Sequence, residues 1–517
     1  EYLYYKLFQT QLHTPIAMMT SDEKDNDRQI HHIVEDHDWF GRSPDSFYYF
    51  TQPLVPVITI EGNWSLSSPL TLTLKPGGHG IIWKLAREKG ILAKMTSQGY
   101  FKSIVRQINN PLAGTDGALL ALIGIGSKKN KSLGFLSCER LLHTAEGTNV
   151  LTEVKSGQSY SYRITNIEYT DFDLQRIGEE PSFQGSPYSK YPTNTNILFV
   201  NIPAIEQALN NCSIPGQLIN MKTNVPYIDP EGNLREVKGG RLESTMQNIA
   251  DYLEDVFPYQ LKKEEYRDRL QTFIIFNKRI KTISTTKKSF KPGESPLSTP
   301  EQAYFDHQLN NHQLFEQGCN FTLPPKISMD EYLEKGPNCI LLFHPALGPL
   351  YSIIAQKIRG GRLAENAELQ LEIAEADICQ LELEGSLLIE AVSPLGAMSQ
   401  ERILQYGNGG RCTLHHVTIR NRGINRRSVH QYWKNQISDR EAMQVVLHEG
   451  AEFHAENVLI EGPCIFEVPK HHRLVVTPNF KGGWVSELKK IEGPTWHWHY
   501  EFDEEHRVIL THLTQND

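Results

Sequence analysis

Three segments in the last third of the chain share one apolar register. Ile378-x-x-Leu381-x-Leu383-x-Gly385 is followed by Leu414-x-x-Val417-x-Ile419 and by Ala455-x-x-Val458-x-Ile460-x-Gly462, at offsets of 36 and 41 residues. A short strand cannot bury its apolar face alone, but a second copy stacked on it buries both. The pattern therefore predicts stacked coils from about residue 345 to 480, with Leu381, Val417 and Val458 above one another inside. The offsets are irregular, so segments such as Gly423–Arg440 would loop out of the stack. A β-sandwich also gives short strands separated by turns, and the pattern by itself leaves both open.

The first half has a different rhythm. Glu1–Gln9 reads as the end of a helix already under way, with no signal or transit segment in view, so the expectation is a chain shortened or processed at this end. Thr14–Ser21 is a short apolar run closed by small polar residues, as in a buried strand that feeds a loop. Asp22–Asp38 is charged and helical, and Leu54–Ile60 is strand-like. Ile81–Gly90 has helical spacing with a glycine stop, and Leu119–Ile125 is another apolar run. Tyr160–Tyr169 and Ile197–Ile202 alternate as strands, whereas Glu243–Phe257 reads as a long amphipathic helix. Strands alternating with helices predict a doubly wound, Rossmann-like α/β layer.

At 517 residues the chain exceeds one ordinary core. The expected divisions are an α/β domain over 1–285, a linker with connecting helices over 286–340, and a β-helix over 341–517. Thr286–Pro300, rich in Lys, Ser and Pro, reads as exposed linker. A net charge of −9 argues against a general nucleic-acid binder, which needs a broad basic face. No apolar run is long enough to span a membrane. The seven cysteines are dispersed without a CxxC pair, which suggests buried thiols in a reducing compartment. The pairs His31-His32, His415-His416 and His471-His472 point to opposite faces of a strand and make poor shared metal sites.

Three stretches carry candidate chemistry. Gly77, Gly78 and Gly80 surround His79 just before a helix, where glycines let backbone N–H groups approach an anion; a merely structural turn is the competing reading. Gly239–Asp251, GGRLESTMQNIAD, sets Arg241 and Glu243 ahead of its expected helix, or is an ordinary capped surface helix. Thr272–Lys288 is a strand ending in Lys278, Arg279, Lys281, Lys287 and Lys288. Those cations suit phosphates, and they equally suit a solvated edge that discourages sheet pairing.

Read in order, these pieces resemble the UTP-glucose-1-phosphate uridylyltransferase family. Met19-Thr20-Ser21, Gln52 in FTQPLVP, Gly78-His79-Gly80, Asn194-Thr195-Asn196, Leu242-Glu243 and Lys281-Thr282 look like its MTS, F-x-Q-x-x-V-P, PPGHG, NTN, LE and VKT. KPGGHG, GGRLESTMQNIAD, HPALGPL at His344–Leu350, LQLEIAE at Leu369–Glu375 and VLIEG at Val458–Gly462 resemble the divergent plastid branch tied to sulfolipid synthesis, over nearly the whole length. The resemblance implies a nucleotidyltransferase domain followed by a left-handed β-helix. It implies transfer of uridylyl from UTP to glucose 1-phosphate with Mg²⁺, in the cytoplasm or in the plastid stroma of a photosynthetic eukaryote.

By the same carry-over, Gln52 and the Gly78 backbone would hold the uracil, and His79 and Asn196 the sugar phosphate. Glu243 would face the substrate, and Lys281 would meet the reacting phosphates. Two departures stand out. The family's Gly-rich phosphate loop would precede Glu1. Gln107-Ile108-Asn109-Asn110 stands where the family has N-x-D-N, which puts a neutral Asn109 at the Mg²⁺-holding Asp and leaves Asp116 as a substitute ligand, with Gln107 and Asn109 beside the substrate. A catalytically impaired sugar-nucleotide-binding or assembly protein, or a sister enzyme for another sugar 1-phosphate, is the alternative. Oligomeric state is left open.

Overall fold

The apolar register of the C-terminal half becomes a ladder in three dimensions. In the computed structural model, which describes residues 1–172, 176–221 and 223–514, Ile358 pairs with Ile378, Ile378 with Leu414, Leu414 with Ala455 and Ala455 with Val476. Every step is parallel and every one of these side chains is fully buried. A second column runs Leu371, Ile389, Val445 and Phe466 on the facing sheet. Glu382 N–H donates to Val417 O and Thr418 N–H to Val458 O, each at 2.9 Å, which stacks Leu381, Val417 and Val458 in the interior as expected. Parallel stacking of successive coils is a β-helix and rules out the sandwich.

The uneven offsets have a simple cause. Uninterrupted coils advance 20 residues from Ile358 to Ile378 and 21 from Ala455 to Val476. The longer intervals carry insertions: the hairpin of Gly396–Met398 and Leu404–Tyr406, and a loop closed where Gly423 and Ile424 pair with Glu441 and Arg440.

The two ends of the stack need cover, because an edge strand exposes unpaired backbone groups. At the first coil the helix Pro300–Gln313, capped by the Thr299 hydroxyl, lends its side chains to the strand Ile340–Phe343. Gln308 accepts from Leu341 N–H at 2.8 Å, and Gln308 and Asn311 donate to Leu341 O at 3.2 and 2.7 Å. At the last coil Trp484–Lys490 pairs antiparallel with His472–Pro478 and ends the stack. Residues 286–340 thus include an element that satisfies the first coil. The unit built on this stack comprises Glu1–Thr14, Ile108–Gly117 and Ile283–Asp517.

The second unit, Pro15–Gln107 with Ala118–Thr282, is the α/β layer. Its long strand Tyr188–Asn201 runs antiparallel between Lys102–Arg106 and Leu133–Leu141, and Thr272–Asn277 adds parallel to Leu133–Leu141. Ile16–Ser21 and Phe47–Gln52 form a parallel pair. Phe50, Trp83, Phe135, Leu198, Ile205 and Ile249 share one core. The layer is mixed, because Tyr188–Asn201 opposes its neighbours. Leu119–Ile125 lies within the helix Ala118–Lys128, and the helix expected over Asp22–Asp38 shortens to Asn26–Asp36.

One expected element is absent. Glu243–Phe257 is not a helix: Glu243 ends the strand Leu234–Glu243, Met246–Tyr252 is a 3₁₀ stretch, and Asp255–Phe257 is a strand. Met246, Ile249 and Ala250 are buried at a spacing that imitates helix periodicity. Pro258 then favours extended backbone at Phe257, where pairing with Tyr160 completes the sheet.

The cysteines are all free, and burial pushes the Cys339 thiol up to about 12. No described helix is long and apolar enough to cross a membrane. If the ladder carries the stability of the stacked unit, Leu414→Ala should destabilise it by about 3 kcal/mol through a central cavity. A chemical-denaturation midpoint unchanged in that variant would refute this.

Candidate active site

The loop Lys75–Gly80 is fixed by direct backbone contact with the end of the strand Leu234–Glu243. Ser244 N–H donates to Gly77 O at 3.0 Å and Gly80 N–H donates to Ser244 O at 2.9 Å. Gly78 has φ +91°, and a Cβ there would lie 2.5 Å from Ser244 O and 3.3 Å from the Glu243 Cβ. A Cβ on Gly80 would stand 2.6 Å from Thr245 N. Glycine is thus demanded twice, by the left-handed conformation and by close approach. A Gly-rich turn is a weak signal in the sequence because its partner, Ser244, lies 164 residues from Gly80 and 167 from Gly77.

The contact gathers four of the candidate residues. Gly77 N–H donates to Pro53 O at 3.3 Å, which seats the loop beside Gln52 at the end of the strand Phe47–Gln52. The Gln52 Oε1 is buried without a hydrogen-bond partner. A buried carboxamide oxygen left without a donor is costly, so this oxygen is free to accept one. His79 Nδ1 accepts from Met246 N–H at 3.1 Å, so its Nε2 carries the proton of the neutral ring. Arg241 donates from Nε to Pro76 O and pairs with Glu243 at 2.9 Å, tying Glu243 to the same loop. Nearby, burial raises the pKa of Glu168, which accepts from Asn166 and Gln247.

Gln107 and Asn196 form a second group. The strand Lys102–Arg106 ends opposite Ile197, and Asn196 Nδ2 donates to Gln107 Oε1 at 3.4 Å. Asn196 is left-handed, φ 57°, and Asn194 holds it by donating to its Oδ1 at 2.7 Å and accepting its N–H at 3.3 Å. Such a conformation in a non-glycine residue suits Asn and marks a site under constraint.

Lys281 stands on the short helix Arg279–Thr282, which follows the strand Thr272–Asn277. Thr193, Cys138 and Asn277 lie in one row across three strands, so this helix leaves the sheet at the same edge as the Asn194–Asn196 segment. Sequence reasoning missed what fixes that edge. Glu146 receives Arg279 through two bonds of 2.9 and 2.6 Å and accepts from the Thr193 hydroxyl at 3.1 Å. Glu139 accepts the Arg279 N–H through its side chain and Nη1 through its backbone oxygen at 3.1 Å. One carboxylate therefore ties the segments on either side. Its sequence context gives no sign of this, since 47 residues separate Glu146 from Thr193 and 133 from Arg279.

Asn109 and Asp116 belong to the β-helix unit. The Asn109 backbone oxygen accepts Thr286 N–H at 2.8 Å, while its Oδ1 is buried without a partner. Asp116 raises the pKa of Tyr351, second to burial. Among the described residues no group of three or more His, Cys, Asp or Glu stands together as a metal-binding cluster. With an amide at position 109, these residues do not by themselves make a Mg²⁺ site.

In chain order, a mixed α/β layer with its glycine loop locked onto a strand end is followed by a β-helix. Residues 5–234 match the family model "UTP--glucose-1-phosphate uridylyltransferase", and residues 358–513 match "UGP3-like, C-terminal hexapeptide repeats". Residues 5–234 are thus similar to the UTP--glucose-1-phosphate uridylyltransferase family, and the C-terminal β-helix is similar to the hexapeptide-repeat region of UGP3-like chains.

Among its relatives, "UTP--glucose-1-phosphate uridylyltransferase 3, chloroplastic" of Arabidopsis thaliana is 40% identical over 98% of this chain. The chain spans 59% of that relative's length. "UDP-N-acetylhexosamine pyrophosphorylase-like protein 1" of Xenopus tropicalis is 23% identical over 45% of this chain and 44% of its own. A solved structure of a putative UDP-N-acetylglucosamine pyrophosphorylase from Entamoeba histolytica shares the fold, with TM-score 0.51 and 18% identity over 68% of this chain and 78% of the other.

The clamp between loop and strand is testable without any substrate. Gly62 also has positive φ, +85°, but nothing lies within 4 Å of a Cβ built there. Gly62→Ala should cost only the backbone strain of roughly 1–2 kcal/mol, whereas Gly78→Ala should lower the unfolding midpoint clearly further. Equal losses in thermal melts of the two variants would show that the clamp carries no weight.

Proposed function

We propose that this chain is a UDP-sugar pyrophosphorylase that transfers uridylyl from UTP to glucose 1-phosphate. A phosphate oxygen of the sugar phosphate attacks the α-phosphorus, a new P–O bond forms, and the bond to the β-phosphate breaks as pyrophosphate leaves. Such transfer is mostly positioning and neutralisation of charge. The observation that carries the reading is the unsatisfied Gln52 Oε1 beside the locked Lys75–Gly80 loop. A uracil offers the N3–H that this oxygen lacks and carbonyls for the amide N–H and a loop N–H.

His79, with Nε2–H as donor, and Asn196 serve the sugar phosphate, with Gln107 bracing Asn196. Glu243 accepts from sugar hydroxyls. Lys281 meets the negative charge that shifts between the phosphates, held in place by the Glu146–Arg279 pair. A Mg²⁺ ion would supply neutralisation of phosphate charge, and with Asn109 neutral it would depend on Asp116, water and the nucleotide phosphates as ligands. The chloroplastic name of the Arabidopsis relative supports a plastid location. Names of relatives that cite UDP-N-acetylhexosamine support a second reading, the same reaction with an N-acetylated sugar phosphate.

Pyrophosphate release from UTP with a panel of sugar 1-phosphates, on this chain and on a version extended upstream, tests both. Glucose 1-phosphate should give the highest kcat/KM, and preference for the N-acetylated substrate would favour the second reading. Release with no sugar phosphate in the panel would overturn the proposal.

Two substitutions and one control test the roles. Gln52→Ala should weaken UTP binding by about 1 kcal/mol or somewhat more in calorimetry, the usual worth of one such bond; unchanged affinity would remove Gln52 from the uracil site. Lys281→Ala should cut turnover roughly a hundredfold with little effect on sugar-phosphate binding. Exposed Lys287→Ala should leave turnover near the parent value. Small, equal effects from both would leave Lys281 as an edge cation.

A further inference from the structure

The β-helix unit contains a cavity of about 450 Å³ between its N-terminal helix Tyr2–Phe8, the coil around Gly407–Arg411 and the strand Trp496–Phe502. Its floor is charged. Glu375 is buried and receives Lys6 at 3.0 Å and the Tyr2 hydroxyl at 2.9 Å. Despite the burial, the field of Lys6, Lys357 and Arg411 holds its pKa down at about 2, so it is ionised at neutral pH. Lys357, fully buried behind, donates to Ala374 O at 2.6 Å.

Arg411 is the group left over. It is 6% exposed and lines the cavity, and its side chain makes one hydrogen bond, from Nη1 to Gly409 O at 3.0 Å. Its Nε has no partner. Among the described residues no carboxylate lies within ion-pair distance of it; its ladder neighbours are engaged, Glu375 with Lys6 and Tyr2, and Glu452 with Thr495 and more distantly Arg473. A guanidinium desolvated to this degree, with the already paired Glu375 in its field but no ion pair of its own, is costly, and proteins normally pair it. The remaining walls combine aromatic rings, Tyr5, Trp498 and Tyr500, with the imidazoles of His497 and His499. Cations beneath aromatic faces are the recognition chemistry of a phosphate carried on a small ring.

We propose that this cavity is a second small-molecule site, which takes a phosphate monoester with its phosphate on Arg411 and Lys6. Ring hydroxyls would meet His499 and the aromatic wall. The site lies wholly within the β-helix unit and uses none of the residues assigned to uridylyl transfer.

Histidine side-chain NMR of the whole chain reads it directly, since His497 and His499 line the cavity. Burial, Lys6, Arg411 and His499 lower the His497 pKa and Glu375 opposes them, so a bound anion should raise it. Inorganic phosphate, glucose 1-phosphate, glucose 6-phosphate and unphosphorylated glucose are the probes. The expected result is saturable movement of the His497 signal with the phosphates and none with glucose. Tighter binding of the sugar phosphates identifies a sugar-phosphate site, and equal binding identifies a phosphate site.

Arg411→Gln should weaken the response at least tenfold, and Asn196→Ala should leave it unchanged. Lys6→Gln provides a second variant if Arg411→Gln does not fold. Failure of every phosphate to move His497 in the unaltered chain, or an equal response to glucose, overturns the proposal. Retention of the response in a folded Arg411→Gln chain also overturns it. Loss of pyrophosphate release with this response intact would separate failure of the catalytic reading from failure of this one.

Discussion

Two backbone hydrogen bonds, between Ser244 and the pair Gly77 and Gly80, set the geometry on which the candidate active site depends. They bring a loop and a strand end so close that no side chain fits at Gly78 or Gly80. Everything that follows in the loop inherits this constraint. His79 is oriented by Met246, the residue two beyond Ser244, and Glu243 is held through Arg241 to Pro76. The site is therefore built on main-chain contact, which varies little with side-chain motion and keeps its donors aimed before a ligand arrives.

Charge is used differently at the other sheet edge. There Glu146 joins the Thr193 hydroxyl to Arg279, two residues before Lys281. A bidentate guanidinium–carboxylate pair adds direction to attraction, so it orients the helix Arg279–Thr282 as a point charge would not. Asn196 is constrained by a short local network, through Asn194 and Gln107, instead of by charge. The partnerless Gln52 Oε1 stands beside these hydrogen-bonded groups, and its position is what gives the site a direction.

The β-helix unit answers another physical problem, that of ending a stack. Its interior columns are aliphatic and in register, so each coil stabilises the next. The first coil is covered by amide side chains from the helix Pro300–Gln313 and the last by an antiparallel strand. The insertions leave through the loops, where extra length costs little entropy. Buried ions collect where the N-terminal helix meets the coils, around Glu375 and Arg411.

The sequence by itself determined the repeat, because inward apolar residues must recur wherever coils stack, and Leu381, Val417 and Val458 could be placed from spacing alone. It determined the strand Ile16–Ser21, the helix Ile81–Glu88 and the residues of the Lys75–Gly80 loop, all of which rest on local chemistry. The segment Glu243–Phe257 was misread because three buried residues at helical spacing do not reveal that their backbone is 3₁₀ and then extended. Only the tertiary structure decided that Ser244 locks the glycine loop, that Glu146 fixes Arg279, and that Asn196 meets Gln107. These are contacts across 89 to 167 residues, made by polar groups whose partners are chosen by the sheet order. Periodicity records which face of an element is buried; it carries no record of what that face is buried against.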